Sequence, residues 1–181
     1  MRRFFAVLTA AFAALAPTVA LASAPPTNDE LYRYAYSITY PMQCYDASQA
    51  VAKLRTNPAY QNDVKELHAA RKGFMECANT RWAMTHSALY NGALYSAAAV
   101  SLLAARQETG KAAVKDATIA REATDQILAY TRGPSNAGSI KNQNTPSMLT
   151  TNAQRMHDSA KTIIAQGGAP SAATAAAPGT H

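Results

Sequence analysis

Apolar positions recur at helical rather than strand spacing from one end of the chain to the other. Thr27-Asn28-Asp29-Glu30 has the form of a capping box, and Leu31, Ala35, Ile38 and Met42 follow it at i, i+4, i+7 and i+11. Pro41 removes a backbone donor from that run and predicts a kink or short break. A second segment, about Cys44 to Thr56, presents Ala47, Ala50, Val51 and Leu54 on one face.

Asn57-Pro58 reads as a helix start, with Asn57 as cap and Pro58 in the first turn. From there Val64, Leu67, Met75, Ala78, Trp82, Leu89, Ala93, Val100 and Leu103 keep a 3.6-residue phase, which assigns Trp82 to the core. One straight helix to Gln107 would reach about 70 Å, so a break is expected, at Asn91-Gly92 first and at Gly73 second. Lys111 to Thr131 forms the next helix, with a small-residue face of Ala113, Ala117, Ala120, Thr124 and Ile127. Gly133-Pro134 stops it, and Ser135 to Asn144 reads as a polar loop. Thr145-Pro146 repeats the cap-and-proline signal before a last stripe of Leu149, Ala153, Met156, Ala160 and Ile163, closed by Gly167-Gly168. The pattern predicts an all-α, single-domain antiparallel bundle of four to five helices.

The ends of the chain read differently. Arg2 and Arg3, the apolar run from Phe4 to Leu21 and Ala22-Ser23-Ala24 match an export signal cleaved after Ala24, leaving no transmembrane anchor. The expected organisation is a signal peptide over 1–24, a helical domain over 25–166 and a disordered Ala/Gly/Pro-rich tail over 167–181. Loss of Arg2 and Arg3 lowers the net charge from +6 to +4, spread along the chain, which argues against nucleic acid as a partner.

An exported chain with two cysteines, Cys44 and Cys77, is expected to join them. Their spacing fits neither a C-x-x-C redox motif nor haem attachment.

Candidate chemistry is sparse. His68, His86 and His157 lie far apart, and no metal motif surrounds them. Met42 and His157 could in principle clamp a haem between the first and last helices, the carrier alternative. Asp63, Glu66, Glu76 and Glu108 could supply an acid and a base for a cell-envelope hydrolase, but a solvated helix surface is the favoured reading of them. Serines lack G-x-S-x-G, and no Gly-rich phosphate loop is present.

The unusual feature is aromatic. Tyr32, Tyr36 and Tyr40 repeat every four residues beside Arg33, away from Leu31, Ile38 and Met42. Either a central first helix buries both faces, or the tyrosines and Arg33 form an exposed binding stripe. The expected function is non-enzymatic and needs no cofactor: an inhibitor, immunity or adaptor type of binder, periplasmic or secreted, that engages an envelope or secreted protein.

Overall fold

The computed structural model describes residues 24–132 and 144–168. The expectations for the export signal, the polar loop and the tail fall almost wholly on residues outside these. Within them the chain is all-helical, with no strand. The α-helices are α1 (Asn28–Ala35), α2 (Tyr45–Thr56), α3 (Val64–Ala78), α4 (Arg81–Thr85), α5 (Ser87–Gln107), α6 (Gly110–Arg132) and α7 (Asn144–Ala165). Two 3-10 turns, Met42–Cys44 and Pro58–Asn62, precede α2 and α3.

Local chemistry explains the starts and stops. Thr27 accepts a hydrogen bond from the Glu30 amide while Glu30 accepts from the Thr27 amide, so the predicted capping box is formed. α1 ends at Ala35, six residues before Pro41. There Ser37 Oγ donates to the Tyr34 carbonyl, and Ile38, Thr39 and Pro41 disfavour further helix. Asn57 caps the turn at Pro58, but Asp63 then accepts from the Lys65 and Glu66 amides and starts α3 afresh.

The expected break at Asn91-Gly92 is not there, and neither is one at Gly73. Both glycines lie inside helices. The chain breaks instead at Asn79-Thr80, where Thr80 Oγ1 donates to the Cys77 carbonyl and accepts from the Ala83 amide, and again at His86, whose Nδ1 lies 2.8 Å from the Trp82 carbonyl. A hydroxyl and an imidazole that satisfy helix-end groups outrank the glycines as punctuation. These breaks raise the α-helix count to seven and shift the phase of α4. Trp82 is therefore 44% exposed rather than in the core.

α5 occupies the centre. Every residue from Asn91 to Ala105 is buried, and α1, α3, α6 and α7 all pack on it. α5 is long and apolar enough to cross a membrane by composition, yet 83% of that apolar window is covered by the rest of the protein. The predicted small-residue face of α6 and the α7 stripe of Ala153, Met156, Ala160 and Ile163 are buried as expected. α6 and α7 also meet at their outer ends, where the Gly110 amide donates to the Gly168 carbonyl (3.1 Å).

Polar bridges tie α1 to the centre. Arg106 of α5 donates to Asn28 Oδ1 and Ser159 Oγ, and its burial lowers its pKa to about 10. Arg155 of α7 forms a forked pair with both Glu30 oxygens, each at 3.0 Å. On the other side Cys44 and Cys77 are disulfide-bonded with Cα atoms 4.9 Å apart, fastening the start of α2 to the end of α3. Such a bond points to an oxidising compartment.

Candidate functional site

Of the two arrangements open to the tyrosines, burial is the one found for Tyr32 and Tyr40. Because α1 stops at Ala35, Tyr40 leaves the helical repeat, and Tyr32 and Tyr40 are each only 7% exposed. The Tyr32 hydroxyl lies 2.5 Å from the Leu54 carbonyl and 2.9 Å from that of Asn57, closing the C-terminal end of α2. The Tyr40 hydroxyl lies 2.9 Å from Ser96 Oγ and 3.1 Å from the Gly92 carbonyl, and its ring stacks on Phe74. Burial raises both phenol pKa values. Tyr36 is half-buried, edge-on to Tyr32 and beneath the Arg55 guanidinium. Only Arg33 of the proposed four is exposed. Buried hydroxyls with internal acceptors are structural ties rather than contacts awaiting a partner.

The haem clamp is not assembled either. Met42 lies in a turn packed on α2 and α3, whereas His157 is on α7, which packs on α6 and α5. The imidazole of His157 is engaged on both sides, with Nε2 3.0 Å from Asp125 and Nδ1 3.2 Å from Asp158. Among the carboxylates, Asp63 caps α3 and Glu76 lies 3.7 Å from Lys72. Glu66 lines a groove between α2 and α3. Glu108 belongs to a different arrangement.

That arrangement centres on Asp116, which is 1% exposed in the second turn of α6. His68 and Arg71, one turn apart on α3, both reach it. His68 Nε2 lies 2.5 Å from Asp116 Oδ2, and Arg71 Nη1 donates to Oδ1 at 2.5 Å. Gly110, at φ +60°, lets the chain reverse between α5 and α6, and this brings Glu108 to the same place. Donor atoms of His68, Glu108 and Asp116 all lie within 4.8 Å of one another. Glu108 Oε2 is buried and has no hydrogen-bond partner among the described residues.

The electrostatics follow from these positions. Burial raises the Glu108 pKa, and the adjacent Asp116 carboxylate raises it further. Burial works the same way on Asp116, but the hydrogen bonds and charges of Arg71 and His68 outweigh it and hold Asp116 below the usual carboxylate range. The two carboxylates are thus pushed in opposite directions, Glu108 upward and Asp116 downward. His68 keeps 36% of its side chain exposed, so the cluster is open to solvent on one side. Sequence reasoning missed Asp116 entirely and read His68 as a partly exposed helix histidine, which it is, without a partner for it. The available signal was Asp116 in phase with Ala113, Ala117 and Ala120, a charge on a buried small-residue face.

A second region surrounds the disulfide. Met42 is 83% exposed and Tyr45 59%, and these two flank Cys44 in sequence. Trp82 and Met84 (64%) sit on α4, which begins four residues after Cys77. Trp82 stacks on His86 with ring centroids 4.0 Å apart. Alongside runs the α2–α3 groove of about 270 Å³, whose lining includes Asp46, Lys53, Glu66, Lys72, Gly73 and Glu76. Compared with protein families, curated proteins and solved structures, the chain has no match.

Proposed function

We propose that this chain is a non-enzymatic binding protein of the periplasm or the secreted fraction, and that it holds a segment of another protein against the surface around Cys44–Cys77. The observation that carries the reading is the exposure of Met42, Tyr45, Trp82 and Met84, which lie close in sequence to the two bonded cysteines. Large apolar side chains left in water gain from being covered, and Trp and Tyr are favoured anchors of protein interfaces. The groove beside them carries charges of both signs, from Asp46, Glu66 and Glu76 and from Lys53 and Lys72. Mixed charge suits a polypeptide with its own mixed charges better than a nucleic acid or an anionic membrane.

In this reading the protein is an antiparallel bundle of its long helices, with α2, α4 and the first 3-10 turn forming the recognition end. The disulfide holds that end rigid, so little ordering cost falls on binding. The bond, the export signal read from residues 1–24 and the absence of a motif for covalent chemistry together support the compartment and the non-enzymatic role.

Photo-crosslinking residues placed at Met42, at Met84 and, as a control, at exposed Lys115 on α6 test the proposal in the native host. The expected result is one protein adduct shared by positions 42 and 84 and missing at 115. With that protein purified, Met42→Asp combined with Met84→Asp weakens the complex by at least about tenfold. Equal labelling at all three positions, or unchanged affinity in the double variant, refutes the surface.

A further inference from the structure

We propose that His68, Glu108 and Asp116 form a binding site for a single divalent transition-metal ion of the zinc class. The donors are an imidazole nitrogen and two carboxylate oxygens, a set that suits zinc and its neighbours and leaves room for water as a further ligand. Their atoms already lie within 4.8 Å of one another, so side-chain rotation, not backbone movement, is enough to bring them around one ion. Two observations beyond proximity favour a ligand. Glu108 Oε2 is buried with no hydrogen-bond partner among the described residues, and the Asp116 carboxylate lies within reach of it, an arrangement that a cation would satisfy. Arg71 holds only Oδ1 of Asp116, which orients the carboxylate and leaves Oδ2 directed toward His68 and the centre of the group.

The three ligands come from α3, the end of α5 and α6, elements that meet only in the folded chain. His68 is partly exposed, which supplies an entry path and a direction for the water ligand. Arg71 offsets one carboxylate charge, so a bound dication leaves the site with a small net positive charge and room for an anionic ligand.

Isothermal titration of the purified chain with zinc chloride, then with manganese chloride, tests this. The expected isotherm for zinc is one ion per chain and is tighter than that for manganese. Glu108→Gln and His68→Ala each weaken zinc binding by about tenfold or more, whereas His86→Ala and His157→Ala leave it unchanged. Cobalt loading supplies a second readout, visible d–d absorption that disappears in Glu108→Gln. Far-ultraviolet circular dichroism verifies that each variant is folded, and the near-isosteric Glu108→Gln decides the matter should His68→Ala unfold. Zinc binding unaffected by Glu108→Gln, or abolished by the His86 or His157 changes, overturns the site. No binding at 100-fold molar excess overturns it as well.

Discussion

Two mid-helix glycines, Gly73 in α3 and Gly92 in α5, should respond to alanine with opposite signs. Helix propensity treats them alike, since Ala in place of an interior Gly contributes about 0.8–1.0 kcal/mol. Their surroundings differ. A Cβ on Gly73 would sit 3.0 Å from both the carbonyl carbon and oxygen of Asp46 and 3.3 Å from the Ala47 amide nitrogen, all backbone atoms of α2. α2 cannot retreat freely, because Cys44, two residues before Asp46, is bonded to Cys77, one turn along from Gly73. Overpacking against fixed backbone costs about 1–3 kcal/mol. With no easy relaxation the upper part of that range applies, so Gly73→Ala is expected to destabilise by about 1–2 kcal/mol after the propensity gain. The three atoms nearest to a Cβ on Gly92 all belong to the Ile38 side chain, the first at 3.1 Å, and Ile38 sits in the non-helical connection after α1, where it can turn aside. Gly92→Ala should therefore be neutral or stabilising by up to about 1 kcal/mol. Urea unfolding followed by circular dichroism, with m-values compared to confirm a common denatured state, measures both. Gly73→Ala as stable as the parent would show that α2 and α3 are not in backbone contact, and would remove the rigid wall of the groove.

Other expected outcomes rest on separate parts of the structure. Replacing Cys44 and Cys77 by serine opens a loop with a sequence separation of 33 and should cost about 3–4 kcal/mol by chain entropy, read as a lower urea midpoint. Glu30, whose pKa falls from 4.5 to about 2 through the Arg155 pair and the Thr27 amide, contributes stability fully present above pH 4.5 and lost as pH falls toward 2. The side chains of the pair remain 28% and 17% exposed, so about 1 kcal/mol is expected, and Glu30→Gln should flatten that part of the acid-unfolding curve. Trp82, the sole tryptophan, should emit as a solvent-exposed indole and be quenched efficiently by acrylamide; a blue-shifted, protected emission would return it to the core.

Much of the helical layout was legible because the signals were local. The Thr27–Glu30 box, the cap at Asn57 and the small-residue face of α6 depend on neighbours within a turn or two. The breaks at Thr80 and His86 were hidden because they depend on side chains satisfying carbonyls and amides, while the more visible glycines turn out to accommodate Asp46 and Ile38. Missing those breaks propagated the wrong phase to Trp82. The tyrosine spacing misled in a related way. It assumed that the helix continued to Tyr40, and periodicity alone cannot say which neighbours cover a face. The His68–Arg71–Glu108–Asp116 group was least accessible, since it joins three elements across a 48-residue span from His68 to Asp116. Even so, Asp116 among alanines was a readable anomaly, because a carboxylate on a buried face requires partners.

Alanine is frequent among the buried residues of the last three helices: Ala97, Ala98, Ala104 and Ala105 in α5, Ala113, Ala117, Ala120 and Ala123 in α6, and Ala153 and Ala160 in α7. Small residues at these positions let helix axes approach closely. Large side chains are buried throughout, Leu102 and Leu103 in α5, Ile127 in α6 and Met156 in α7, as well as Leu31, Leu54, Leu67 and Phe74 in the half containing α1, α2 and α3. The groove, the disulfide and the exposed Met42, Tyr45, Trp82 and Met84 lie in that half or on the adjoining α4. α3 has the groove along one side, lined by Glu66, Gly73 and Glu76, and sends His68 and Arg71 toward α6. Substitutions that disturb α3 should therefore affect partner capture more than equally destabilising substitutions in α6 or α7. Ala117→Val in α6 is a suitable comparison for Gly73→Ala, because both overpack a helix contact and only one borders the groove. Equal loss of capture at matched stability would place the binding surface elsewhere.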